Sequence, residues 1–107
     1  MSFAEVKWNH VPVQFVPGNL ERKGIEKGLE HANLRVPDAT KGVPRDVFVA
    51  VGAYPDQNMI AGVVAQGPDK NILYNIGIDW NPRNPLSVQN ALNRVLEYVG
   101  TFLKDRY

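Results

Sequence analysis

The stretch that decides the fold is residues 46–80, DVFVAVGAYPDQNMIAGVVAQGPDKNILYNIGIDW. It contains three runs rich in Val, Ile, Ala and aromatic residues, and such runs favour β-strands. The connections PDQN and PDK are typical turn sequences, because Pro suits the second position of a turn and Asp or Asn suits its neighbours. Since short turns join neighbouring antiparallel strands, residues 46–80 predict a three-stranded β-meander.

The first two strands of the meander are apolar on both faces, since alternate positions of residues 47–52 and 59–64 are all apolar or small. A two-layer domain covers only one face of its sheet, so the other face needs a separate cover. Three covers stay open: the N-terminal segment, a partner protein or second copy, and a small ligand. A ligand would find room above the small residues of the meander, which are Ala50, Gly52, Ala61, Gly62 and Gly77.

The third strand has only one plainly apolar face, and its other face is predicted to be half solvated. The apolar face consists of Ile72, Tyr74, Ile76, Ile78 and Trp80. This strand is therefore predicted to bury a single face against the core.

Two amphipathic helices are predicted, one before and one after the meander. Residues 20–36 form the first, with Asn19 as its expected N-cap and an apolar stripe of Ile25, Leu29, Ala32 and Val36. The second has the clearest helical period, carried by Val88, Ala91, Leu92, Val95, Val99, Phe102 and Leu103. Gly24 and Gly28 predict a close backbone contact with the sheet or another helix, because glycine costs about 1 kcal/mol inside a helix.

The N-terminal residues 4–15 contain two apolar runs of period two that are out of phase with each other. Either a β-bulge near Asn9 and His10 shifts the register, or two short strands are joined by a tight turn. The whole chain, residues 1–107, is thus predicted to be a single two-layer α+β domain with the order β(β)-α-β-β-β-α. We expect an antiparallel sheet with both helices packed on one face.

The composition is that of an ordinary globular protein, with 44% hydrophobic and 21% charged residues and a net charge of +1. A charge so near zero creates no long-range field for nucleic acid or anionic lipid. The lack of cysteine removes disulfides, thiol nucleophiles and thiolate metal ligands. The N-terminus lacks the pattern of a signal peptide and no window is apolar enough for a membrane helix, so a cytoplasmic location is expected.

Few residues show patterns of catalysis or cofactor binding. The phosphate-binding sequences GxxxxGK[ST] and GxGxxG are absent, and Ser2 and Ser87 lie outside any GxSxG sequence. His10 and His31 are far apart and lack the spacing of metal ligands. We therefore expect no cofactor and no metal, and an enzyme is the less favoured class.

The sequence IDWNPRNPLSVQ, residues 78–89, is interpreted as a joint between a strand and a helix. Asn84 is a natural N-cap, and Pro85 is a natural first helical residue. An anion site over the helix start is disfavoured, because Pro85 has no N–H and the Asn84 side chain occupies another amide. Arg83 has no structural role in this interpretation beyond an expected ion pair with Asp79.

The favoured function is non-catalytic recognition of another protein or of a second copy of the chain, which makes a homo-oligomer the expected state. Inhibitors, immunity-type proteins, phage accessory factors and assembly subunits all fit this description. The two-faced sheet, the glycine pair and the lack of a catalytic constellation motivate it. The predicted interface residues are Gly24, Gly28, Phe48, Ala50, Ile60 and Val64.

Two further classes are weighed against this one. A small-molecule-binding domain or small enzyme would have its site at the strand ends, lined by His10, Tyr54, Asp79 and Arg83. Nucleic-acid binding is the third class, because the α-β-β-β-α portion shares its element order with double-stranded RNA-binding domains. It is disfavoured, since the basic residues of the first helix are interleaved with Glu21, Glu26 and Glu30, and no lysine cluster begins the last helix.

Overall fold

The computed structural model describes residues 3–81 and 83–107, which form a five-stranded sheet with two helices on one face. The elements in chain order are β1 (Ala4–Trp8), β2 (Val11–Phe15), α1 (Arg22–Arg35), β3 (Val47–Tyr54), β4 (Met59–Gln66), β5 (Asn71–Asp79) and α2 (Pro85–Arg106). A single 3₁₀ turn, Pro55–Gln57, joins β3 to β4. The predicted two-layer α+β architecture and its element order are confirmed. None of the helices in the described residues has the length and apolar character needed to cross a membrane.

The sheet follows the order β1-β2-β3-β4-β5 and is mixed, so the prediction of a fully antiparallel sheet is wrong. The hairpins β3–β4 and β4–β5 are antiparallel, as the turn sequences predicted. The strands β2 and β3 pair in parallel, with Val13 opposite Val49. Residues 16–46 contain α1 and return the chain to the end of the sheet where β2 began, and such a helical crossover joins parallel strands.

The N-terminal segment forms a hairpin, which decides between the two interpretations of its broken pattern. β1 and β2 pair up to Trp8 and Val11, and the turn between them holds Asn9 at a left-handed φ of 56°. Asparagine tolerates this conformation, so a two-residue turn fits the sequence. The segment is therefore part of the sheet and does not lie over its second face.

The helix α2 comes very close to the sheet at Gly62 in β4. A Cβ at this position would lie 2.6 Å from Cγ1 of Val95 and 3.3 Å from Cγ2 of Val99. Both valines are fully buried and β-branched, so they have little freedom to move aside. Gly62 therefore fixes how near the helix can come to the sheet.

The two helices pack against each other through the first helix's glycines, which confirms the predicted close helix contact. A Cβ on Gly28 would lie 2.6 Å from Cδ1 of Leu96, and one on Gly24 would lie 3.1 Å from Oε1 of Gln89. The Gln89 side chain also donates a hydrogen bond to the carbonyl oxygen of Gly24 at 3.1 Å. His31 of α1 is half-buried, and its Nε2 lies 3.0 Å from the Glu97 carboxylate of α2.

Two local predictions are wrong for reasons visible in the structure. Asn19 does not cap α1, which begins after Glu21, and its side chain instead donates to the carbonyl oxygen of Ala53 at 3.3 Å. Ile72 leaves the apolar face of β5 because the register shifts between Val64 and Ala65, so that Ile72 pairs with Ala65 and is 63% exposed. The bulge reverses the alternation of side chains at this end of the strand.

Replacing Gly62 with Ala is expected to lower the free energy of unfolding by about 1–3 kcal/mol, because the added methyl group overlaps the rigid Val95 side chain. Gly77→Ala is the matched control, since only the flexible Met59 side chain would have to move there. The control is expected to change stability by less than about 1 kcal/mol. Urea denaturation of both variants measures the difference, and equal stabilities would contradict the close approach of α2.

Candidate functional site: the uncovered face of the sheet

The candidate site is the surface of the sheet opposite the helices, which we call the open face. It is formed by the side chains of β3, β4 and β5 that alternate with the core residues, namely Phe48, Ala50, Gly52, Met59, Ala61, Val63, Asn75 and Gly77. Within residues 3–81 and 83–107 neither helix covers it, because α2 packs on the other side of β4 and α1 packs against α2. The strands β1 and β2 continue this face with polar side chains, among them Glu5, Lys7 and Gln14.

The centre of the open face is a row of residues that have no side chain beyond Cβ. Gly52 pairs with Ala61, and Ala61 pairs with Gly77, so three adjacent strands contribute to one row across the sheet. The neighbouring row is Ala50, Val63 and Asn75. Small residues in consecutive strands leave a trough that runs perpendicular to the strands.

Tyr54 and Met59 border this trough and fold back over it. They pair with each other at the end of β3 and β4, one row beyond the small residues. The Tyr54 ring lies 3.6 Å from the position of a Cβ on Gly52, and the Met59 sulfur lies 2.5 Å from that of a Cβ on Gly77. Tyr54 is 50% exposed, so its ring remains available to a bound molecule.

Two concavities lie along the trough, one on each side of Tyr54. The larger has a volume of about 330 Å³ and is lined by Tyr54, Gln57, Met59, Ala61, Val63, Asn75, Ile76 and Gly77. The smaller has a volume of about 190 Å³ and is lined by Phe3, Gln14, Val16, Ala50, Val51, Gly52, Tyr54, Ala61 and Val63. Both are apolar at the base, and the Asn75 amide and the Tyr54 hydroxyl group supply hydrogen-bonding groups at their borders. Such a surface suits projecting apolar side chains or a flat apolar ligand.

The four residues predicted to line a ligand site are only partly brought together. Tyr54 and Asp79 both pair with Met59 and lie in one row, and Arg83 follows at the same end of the sheet. His10 lies in the β1–β2 turn at the opposite end, where its Nε2 is 2.7 Å from the carbonyl oxygen of Val43. In the described part of the chain, no three His, Asp or Glu side chains form a group that could hold a metal ion.

The six predicted interface residues divide into three pairs. Phe48 and Ala50 lie on the open face and are half-buried. Ile60 and Val64 lie on the opposite side of β4, fully buried beneath α2, and so cannot reach a partner. Gly24 and Gly28 face α2 of the same chain, which accounts for both glycines without a partner.

Sequence reasoning missed Met59 and Val63 as surface residues of this site. The two faces of β4 look alike in the sequence, because both are apolar or small. Gly62 was the available signal, since a glycine in line with Ile60 and Val64 marks the face that a helix approaches closely. The alternation of side chains then assigns Ala61 and Val63 to the open face.

The joint between β5 and α2 has the structure that its sequence predicted. Asn84 caps α2, with its Oδ1 accepting a hydrogen bond from the Leu86 amide at 3.0 Å, and Pro85 is the first helical residue. The Ser87 hydroxyl group donates to the carbonyl oxygen of Asn81 at 2.7 Å and accepts from the Asn81 amide at 3.0 Å. Pro82, which also belongs to this joint, lies outside the described residues.

Arg83 takes part in this joint through its backbone. Its amide donates to Oδ1 of Asn81 at 3.0 Å. The ion pairs in the described residues are Lys7 with Glu5 and Arg22 with Glu26, and His31 also contacts the Glu97 carboxylate. The predicted pair of Arg83 with Asp79 is therefore not formed.

The comparisons with known proteins add little to this description. Neither a protein-family model nor a curated protein matches the sequence. Among solved structures, the chain is similar to a putative lipoprotein from Caulobacter crescentus CB15, with 8% sequence identity over 88% of this chain and 86% of that one. The TM-score is 0.31, so neither fold nor function is carried over from it.

Replacing the capping residue Asn84 with Ala is expected to lower the free energy of unfolding by about 1 kcal/mol, because the Leu86 amide loses its acceptor. Asn90→Ala, at an exposed position within the same helix, is the matched control and is expected to be neutral or slightly stabilising. Thermal and urea unfolding followed by circular dichroism compare the two variants. A loss of stability in the control, with none in Asn84→Ala, would contradict the capping role.

Proposed function

We propose that the protein acts by binding another protein through the apolar half of its open face, formed by β3, β4 and β5. The observation that carries the proposal is the trough of Gly52, Ala61 and Gly77 between projecting apolar side chains, on a face that neither helix covers. Soluble domains rarely leave a contiguous apolar surface in water unless it binds something. The proposal includes no catalysis, because His10 and Asp79, the candidates for acid–base chemistry, lie at opposite ends of the sheet.

The dimensions of the molecule support an interface of ordinary size. Its principal extents are 38 × 32 × 21 Å, and the shortest of them matches a sheet with one layer of helices. A standard protein–protein interface needs about 800 Å² of surface from each partner. The broad face of this molecule has room for an interface of that size, with Glu5, Lys7 and Gln14 at its polar border.

The shape of the open face supports a partner that inserts apolar side chains. A trough with Cβ-only residues at its base accepts a projecting Leu, Met or aromatic side chain, and such buried anchors dominate binding energy in interfaces. The exposed rings of Phe3 and Tyr54 would contact the same inserted side chains. The partner is therefore expected to present an apolar helix or strand face.

Replacing Ala61 with Arg is expected to abolish partner binding, because the guanidinium group would occupy the middle of the trough. Wild-type and variant proteins, immobilised at equal density, would be used to capture partners from the native cells. Leu34→Arg is the matched control, since Leu34 is exposed on α1, remote from the open face. Circular dichroism checks that both variants fold. Equal capture by wild-type and Ala61→Arg proteins would overturn the proposal.

A small-molecule-binding function is the second candidate, and the larger concavity favours it. The volume of this concavity, about 330 Å³, lies at the lower end of the range for ligand pockets. Tyr54, Gln57 and Asn75 offer hydrogen bonds at its border. Tyr54 and Asp79 of the predicted strand-end site lie in the row next to it. The expected ligand is apolar, flat and uncharged.

A thermal-shift screen of flat apolar metabolites tests this second function. A ligand present at about 100 times its dissociation constant adds about 2.7 kcal/mol to stability and raises the melting temperature by several degrees. Tyr54→Ala should remove the shift, whereas Leu34→Ala should retain it. A shift that survives Tyr54→Ala would place the ligand elsewhere.

The cytoplasmic location is likewise a proposal, which fractionation of the native cells would check.

A further inference from the structure

The two edges of the sheet are built differently, and the β1 edge is protected. β1 is only five residues long, and its Glu5 and Lys7 side chains form an ion pair at 3.3 Å. Its helix-facing side chains are fully covered, with Val6 5% and Trp8 1% exposed. The Arg22 side chain also donates to the backbone carbonyl oxygen of Glu5. Short length and charged side chains are the usual means by which an edge strand avoids pairing with another chain.

The β5 edge has neither the short length nor the interior charges of the β1 edge, although it carries the bulge at Leu73. β5 is nine residues long, contains no proline, and has its only charged side chain at its last residue, Asp79. One side of the strand pairs with β4, and the other side is the edge of the sheet. A long edge strand of this kind is a template for pairing with an additional strand.

The hydrophobic core is also incompletely covered at this edge. Tyr74 and Ile76 face α2 but are only half-buried, unlike their counterparts on β1. Phe102 of α2 stacks on Tyr74, with ring centroids 4.6 Å apart, and is half-buried as well. Tyr98 lies one turn before Phe102 on the same flank of the helix and is 43% exposed. The β5 edge and the adjoining flank of α2 therefore form one continuous apolar surface.

We propose that a second copy of this chain pairs with β5, edge to edge and antiparallel, so that the five strands of each copy form one sheet across a two-fold axis. This inference goes beyond the proposed function, since it concerns a different surface. The two-fold axis would keep both pairs of helices on the same side of the sheet. Tyr74 of each copy would then lie opposite Ile76 of the other, and the Tyr98 flanks of the two α2 helices would approach each other above them.

The charges at the two ends of β5 favour a second copy over a different partner. Lys70 precedes the strand and Asp79 ends it, and both are exposed. Asp79 lies four residues after Asn75 and Lys70 lies five residues before it, but the bulge leaves Leu73 unpaired. Antiparallel pairing centred on Asn75 therefore places Asp79 of one copy beside Lys70 of the other, twice in each dimer. Unlike charges on adjacent strands stabilise the pairing, whereas parallel pairing would bring like charges together.

Charge exchange at these two positions tests the inference with the full-length chain. The wild-type protein is expected to show twice the monomer mass of 12.0 kDa in light scattering, with dissociation on dilution. Lys70→Glu and Asp79→Lys should each raise the dimer dissociation constant about ten-fold or more, because each change creates two like-charge contacts per dimer. The double variant Lys70→Glu/Asp79→Lys should return the dissociation constant close to that of the wild type.

A control on the open face separates this inference from the proposed function. Ala61→Arg should leave the dimer mass and dissociation constant unchanged, while it removes partner binding. A wild-type protein that stays monomeric at all concentrations would overturn the β5 pairing. So would a dimer that resists both single charge changes, or one that Ala61→Arg dissociates. Recovery in the double variant, with circular dichroism unchanged throughout, would support it.

Discussion

The close packing of α2 on β4 at Gly62 is the constraint on which the rest of the structure depends. It fixes α2 over β4 and β5, and it leaves room beside that helix for α1, which is held there through Gly28. Both helices consequently occupy one side of the sheet. The other side of the sheet also carries apolar and small residues, but neither helix packs on it. The contact at Gly62 therefore determines which face of the sheet stays uncovered.

The molecule therefore has two surfaces whose chemistry is unlike the remainder of its exterior. One is a face, shaped by small residues in register, and the other is an edge, shaped by a strand that has neither proline nor an interior charge. They meet at Asn75 and Gly77, which belong to both. On β1 and β2, at the other edge of the sheet from β5, the open face carries polar side chains and is expected to stay in water. The proposed recognition of another protein rests on this asymmetry across five strands.

The parts of the fold that follow from local patterns were predictable, whereas those set by distant contacts were not. The β3–β5 meander and the stripe of α2 come from turn residues and side-chain periodicity. The parallel pairing of β2 with β3 depends on where residues 16–46 return the chain, which no local pattern specifies. For the site, alternation predicted Phe48 and Ala50 on one face. It could not tell which side of β4 the helix would cover, and Ile60 was therefore placed wrongly.

The position of α2 in the chain has a consequence for how the protein is made. The helix that covers β4 and β5 follows both strands in the chain, and β2 pairs with β3 only after a long crossover. Three of the four strand pairings join consecutive strands through short turns, so much of the sheet can form before α2 is synthesised. The helix-facing side of the meander stays uncovered until α2 has been synthesised. During that interval both faces of β3 and β4 are apolar and bare, which makes the nascent chain prone to aggregation.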